Sequence, residues 1–180
     1  MLIKTYNFYG KHANYMTELT KPLGEDKPPF FKTNMDVMYA ACIVGFKYNK
    51  KSNIDKETEA KKKTIMNEQI YNSRVLIQFL YRLILLLDTS VDYSTEDRLR
   101  LAYEKEVSAS QEGETPNEED ENFNNPFEKL LYQYMLGGIE YLYENLIGNG
   151  KDPITNMGTI IDEISYVVTK STTIPDIEIE

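Results

Sequence analysis

Tryptophan is absent from this chain, and cysteine and histidine occur once each, as Cys42 and His12. A single thiol excludes an intramolecular disulfide framework. One imidazole and one thiol are also too few for a zinc site. Glycine is present but not in a phosphate-binding setting. "LGG" and "GNG" lack both the strand–loop–helix context and the lysine that such a loop requires. Long hydrophobic runs are missing too. The run from Met35 to Phe46 falls short of the roughly 20 residues that span a bilayer. The apolar stretch from Val75 to Leu87 would have to carry Arg82 into the hydrocarbon, at about 2.5–3.5 kcal/mol. No signal peptide and no Arg-rich, acid-poor leader stands at the start, so a cytoplasmic protein is the expectation. No internal repeat is visible.

What is present suits a globular protein with a sizeable core. Of 180 residues, 41% are hydrophobic and 27% charged, and 14 are tyrosine. The formal net charge of −9 is unevenly spread: through Lys63 there are 12 Lys, no Arg and 7 acids (+5), leaving −14 for the remainder. A basic half can touch phosphates locally where a uniformly acidic chain would be repelled. The same asymmetry also serves solubility or subunit orientation.

Residues 1–32 show no sustained helical period and read as an N-terminal arm. "MLIKTYNFYG" alternates like a short strand, and "HANYMTELTKPLG" fits a brief helix ending before Pro22. A helical domain is expected over 33–170, with a tail at 171–180. Its first helix starts at Thr33 as N-cap, with Asp36 in the capping-box position. The alternation-free run Val37 to Val44 predicts a helix surrounded by protein, on which Ala41 and Gly45 leave room for another backbone. Lys47 to Lys63 reads as a polar loop turning helical at "DKETEAKKK". A central core helix is predicted over Asn67–Asp88, with Arg74, Gln78 and Arg82 as a narrow polar stripe at i, i+4 and i+8. Ser94 caps the next helix, with Asp97 three residues on. Residues 108–125 hold no basic residue and almost nothing apolar, which predicts a flexible acidic insertion. Pro126 opens a further helix whose Gly137–Gly138 pair implies a close neighbour. Asp152 and Pro153 start the last, with Ile154, Met157, Ile160, Ile161, Ile164, Val167 and Val168 on its buried face. The fold class is therefore mainly α, a compact bundle of about five helices with a short N-terminal strand or arm.

Candidate chemistry is sparse. His12 lacks a partner at useful spacing and reads as a surface residue, and Cys42 reads as inert packing. Asp92, Glu96 and Asp97 could hold magnesium for a metal-dependent nuclease, although capping explains the same residues more simply. "PDIEIE" lacks the lysine of a nuclease signature. Lys47, Lys50, Lys51, Lys61, Lys62 and Lys63, interleaved with Phe46 and Tyr48, could grip a phosphate backbone. The simpler role for lysines at a helix end is to offset its dipole. Neither a cofactor nor a metal is expected.

Two blocks carry a family resemblance. "FKTNMDVMYAACIVGFKYNKK" resembles the opening motif of the DNA phosphorothioation-associated protein 4 (Dnd system-associated protein 4) family. It has the Phe-Lys start, the Asp-hydrophobic step, the alanine-rich turn and the Gly-Phe-Lys with basic residues. "YQYMLGGIEYLYENL" resembles that family's second block. The resemblance implies a small accessory protein of bacterial anti-phage or DNA-modification islands, with no catalytic residues to carry over. The expectation is a non-catalytic subunit docking to a larger ATPase or nuclease through Tyr134, Gly137, Gly138 and Tyr141. DNA would be reached directly or through the complex, and no membrane is involved. Direct DNA binding through the lysine segment is the alternative.

Overall fold

The structure is a computed structural model that describes residues 5–25, 27–55, 62–103, 126–148 and 155–162. The chain divides into two units, Met1–Tyr141 and Leu142–Glu180. In the first, strand β1 (Tyr6–Tyr9) runs into helix α1 (Gly10–Leu19), followed by α2 (Asn34–Lys47), strand β2 (Lys62–Ile65), α3 (Asn67–Asn72), α4 (Arg74–Leu87) and α5 (Thr95–Tyr103). Helix α6 (Pro126–Tyr143) begins in this unit and ends in the second. The described chain is mainly helical, with one small sheet.

β1 and β2 pair antiparallel, Tyr6 opposite Ile65 and Tyr9 opposite Lys62. Period-2 alternation sends Tyr6 and Phe8 inward, where both are buried. Gly10, at a left-handed φ of 51°, then turns the chain directly from strand into α1. Met16, Leu19 and Ala13 of α1 are buried as well. The segment expected to be an arm outside a domain starting at residue 33 is thus part of the core, because its apolar side chains have nowhere else to be shielded. Tyr132 of α6 stacks on Tyr6 at 5.8 Å and donates its hydroxyl to the Asn7 carbonyl.

α2 begins as its sequence dictates. Thr33 accepts from the Asp36 amide at 3.2 Å, and the Asp36 carboxylate accepts from the Thr33 amide at 2.9 Å. It ends in a Schellman turn: Asn49 takes a left-handed φ of 50°, and the Lys50 amide donates to the Gly45 carbonyl at 2.7 Å. The expected helix over Asn67–Asp88 is broken at Ser73 into α3 and α4. Asn72 and Ser73 favour local backbone bonding over helix continuation, which places the break there. β2 replaces the helical start expected near "DKETEAKKK", of which residues 56–61 lie outside the described set.

The central helix is α6, not α4. Leu130, Leu131, Tyr132, Tyr134, Met135, Leu136 and Ile139 cover about two thirds of its circumference and are all buried, leaving Gln133, Gly137 and Glu140 along the remaining face. α2 crosses it at backbone contact. A Cβ on Gly45 would stand 2.0 Å from the Tyr134 carbonyl oxygen, and one on Gly138 would stand 1.9 Å from that of Ala41. No real Cβ tolerates such distances, so glycine is required at both positions.

In the second unit, Glu144–Gly148 forms a π-helical turn, and residues 155–162 form helix α7. Asn156 donates to the Asn145 carbonyl at 2.6 Å. Ile160 is buried, but Ile161, expected on the same buried face, is exposed. Asp152 and Pro153, the acidic insertion at 108–125 and the tail at 171–180 lie outside the described residues.

Candidate functional site

The segment after α2 is a strap laid along α6. Ser52 donates its amide to the Gln133 carbonyl at 3.1 Å, and the Gln133 side chain donates to Asn53 at 3.1 Å. Gly137 makes this possible: a Cβ there would meet the Lys50 carbonyl oxygen at 2.2 Å. Two polar clusters fasten the strap.

The first is built on Asp88, just past α4 and nearly inaccessible. Its carboxylate accepts from the Tyr134 hydroxyl and from the Ser90 amide (2.7 Å) and hydroxyl. Lys51 lies 3.7 Å away, donates to the Ser90 hydroxyl at 2.8 Å and sits over the Tyr134 ring at 4.7 Å. Burial pulls the Asp88 carboxyl upward, but the bonds from Ser90 and Tyr134 and the Lys51 charge outweigh it and hold it below its ordinary value. Burial first, then the hydrogen bond to Asp88 and its charge, push the Tyr134 phenol up, so it stays protonated and donates. Arg98 completes the corner by donating to the carbonyls of Leu85 (2.7 Å), Asp88 (2.6 Å) and Val91. It thereby satisfies the open end of α4.

The second cluster gathers on Glu140 of α6. His12, Ser52 and Lys11 all reach the same Oε1, His12 Nε2 at 2.8 Å and Lys11 Nζ at 2.9 Å. His12 is fully buried, which corrects its reading as a surface residue. The reason is topological: its partner lies 128 residues away in sequence. Because Nε2 donates to the carboxylate, Nδ1 is the bare nitrogen, and it has no hydrogen-bond partner among the described residues. Burial lowers the His12 pKa despite Glu140. Burial opposes ionisation of Glu140, but Ser52, Lys11 and His12 together hold its carboxyl below the ordinary value. The arrangement ties α1 and the strap to α6. Both Ser52 and His12 donate to one oxygen, so the serine proton goes to the carboxylate and not to an imidazole base.

The other expected sites separate. Lys51 belongs to the Asp88 cluster. The Lys47 amine is buried 5.1 Å from the Tyr48 ring, without a hydrogen-bond partner among the described residues. Lys50 contributes its backbone to the strap. Lys62 and Lys63 stand on β2, Lys62 over Tyr9 at 5.6 Å, and Lys61 lies outside the described residues. The lysines therefore do not form one phosphate-facing row: the Lys47 amine is buried, and Lys51 is held by Asp88 and Ser90. Tyr134, Gly137 and Gly138 are likewise consumed by packing within the chain, and Tyr141 stacks on Tyr48 at 4.6 Å, so these four do not make an open docking surface. Asp97 accepts from the Ser94 hydroxyl at 2.7 Å and pairs with Arg100 at 3.2 Å, the capping arrangement. Among the described residues no group of three or more His, Cys, Asp or Glu side chains could hold a metal ion, Asp92, Glu96 and Asp97 included. Cys42 is buried, which pushes its thiol up to about 12 and keeps it inert at neutral pH.

The surface that stands out is on α4. Ile77, Leu80, Ile84 and Leu85 face the core, but Val75 is 75% and Phe79 57% exposed, with Leu76 and Leu87 also open. The expectation of a helix buried all round except for a polar stripe is corrected. α4 has two apolar faces, and only one is covered, by α2 and α5 among the described elements. Where α4 meets α2 an open groove of about 550 Å³ is lined by Tyr39, Asn72, Ser73, Val75, Leu76 and Phe79. Among the described residues no helix is long and apolar enough to cross a membrane. Compared with family models, curated proteins and solved structures, the chain matches none.

Proposed function

We propose that this protein is a non-catalytic accessory subunit of a bacterial anti-phage defence or DNA-modification system, docking to a larger ATPase or nuclease. The observation that carries the reading is the uncovered apolar face of α4, where Val75 and Phe79 stand mostly in water beside a formed groove. Contiguous exposed apolar surface of this kind marks interaction sites in soluble proteins. The two sequence blocks supply the biological setting. Both lie on the helices whose crossing builds the core, α2 and α6. On this reading DNA is met through the assembled complex, since Lys51 is engaged by Asp88 and Ser90 and the Lys47 amine is buried over the Tyr48 ring.

The test is co-expression with the large proteins encoded beside this gene, followed by size-exclusion chromatography and assays of ATP hydrolysis and DNA cleavage. Co-elution with a neighbour, together with a changed rate, is the expected result. A chain that elutes alone and changes neither activity overturns the reading.

A further inference from the structure

We infer that the α4 face receives an amphipathic helix of a partner protein whose apolar stripe is flanked by acidic residues. The inference rests on the docking role proposed above and adds the place and the chemistry of the contact. Val75, Phe79, Leu83 and Leu86 recur at i, i+4, i+8 and i+11, so they form one continuous stripe along the helix. Arg82 lies on the same side, three residues after Phe79 and four before Leu86.

The charge that α4 itself carries is of one sign. α4 holds two arginines and no acid, in a chain whose net charge is −9. All four arginines of the sequence fall in α4 and α5. Arg98 is spent on carbonyls and Arg100 pairs with Asp97. Arg74 and Arg82 are differently placed. Arg74 stacks on exposed Tyr71 at 4.8 Å and, among the described residues, gives one bond, to the Tyr71 carbonyl. Arg82 stacks on exposed Tyr103 at 5.0 Å and, among the described residues, gives one bond, to the Ala102 carbonyl at 2.8 Å. A guanidinium has five N–H donors, so each retains donors for a carboxylate. Aromatic rings and arginines around an apolar centre match the make-up of protein interfaces at their energetic hot spots.

Charge also discriminates among occupants. Pairing α4 with its own copy would bring together only positive charges. An anionic membrane would satisfy the arginines, but it would leave the groove between Tyr39 and Phe79 without a side chain to fill it. An apolar stripe with carboxylates on its margins satisfies both the groove and the arginines.

The experiment records methyl spectra of the full chain while titrating a short amphipathic peptide with a leucine stripe flanked by glutamates. Its lysine-flanked counterpart, and vesicles of phosphatidylcholine with phosphatidylglycerol, are titrated in parallel. The expected result is shifts confined to Val75, Leu76, Leu83 and Leu86 with the glutamate peptide alone. Arg74→Glu should weaken that binding about tenfold. Phe79→Asp should abolish it with the thermal midpoint unchanged. Equal response to both peptides, response to vesicles only, α4-dependent dimerisation, or no response overturns the inference. Neighbours that co-elute with the Phe79→Asp variant would leave the accessory role standing and remove this site. Peptide binding without co-elution of any neighbour would do the reverse.

Discussion

α2 and α4 are both helices of 14 residues, both made almost wholly of apolar side chains, and they meet opposite fates. α2 is pressed against α6 until backbone touches backbone, at Gly45 and Tyr134 and at Ala41 and Gly138. α4 touches its neighbours through long side chains on one face and shows the other to solvent. The difference is in residue size, not in hydrophobicity. Small residues four apart let a second helix come to contact distance on α2. On α4, Val75 and Phe79 instead stand out into solvent, and the bulk of its Leu, Phe and Val side chains keeps other backbones away.

That contrast is breakable at its rigid end first. Gly138→Ala places a Cβ on the Ala41 carbonyl, and neither backbone can yield alone. A loss of about 3 kcal/mol or more in urea unfolding is expected, at the upper end for overpacking. Gly158→Ala, with nothing within 4 Å, should instead be neutral or stabilise by up to about 1 kcal/mol. A near-neutral Gly138→Ala would mean that the helices are not in backbone contact. Next in size is Asp88→Ala, which removes the acceptor shared by Tyr134 and Ser90 and the counter-charge of Lys51. It should cost about 3 kcal/mol, measured by the same unfolding experiment.

The two faces of α4 sharpen the comparison further. Leu80→Ala, on the covered side, should cost about 2–4 kcal/mol. Phe79→Ser, one residue away on the open side, should change stability by no more than about 0.5 kcal/mol. Equal losses would mean that the open face is covered in the folded chain. The smallest effect is pH dependence at the strap. His12 has a lowered pKa, so the unfolded chain binds the proton more readily. Stability should begin to fall as pH drops below the ordinary histidine value of 6.5. Glu140 and Asp88, held below their ordinary values, add a further loss as pH falls through the carboxylate range. Thermal midpoints from pH 8 to 4 would show it, and replacing His12 by Gln should remove the first step only.

Local information was legible in the residues and distant information was not. The Thr33–Asp36 box, the Ser94–Asp97 cap and the close-approach role of Ala41, Gly45 and the Gly137–Gly138 pair follow from neighbours a few positions apart. β2 was hidden, because four residues become a strand only by pairing with β1, far back in the chain. The burial of His12 and the engagement of Lys51 depend on α6 and on Asp88, which no spacing rule connects to them. The open face of α4 was missed for a related reason. Apolar composition states that a surface avoids water, but not whether this chain or another molecule provides the cover. Asn49 carried a usable signal, since asparagine after a helix ending in lysine marks a left-handed C-terminal turn.

The small sheet has a consequence of its own. With two strands among the described residues, each has an outer rim of main-chain donors and acceptors that could recruit a stray strand. Lys62 and Lys63 sit on one of those rims, and a positive charge there discourages a second molecule from zipping on.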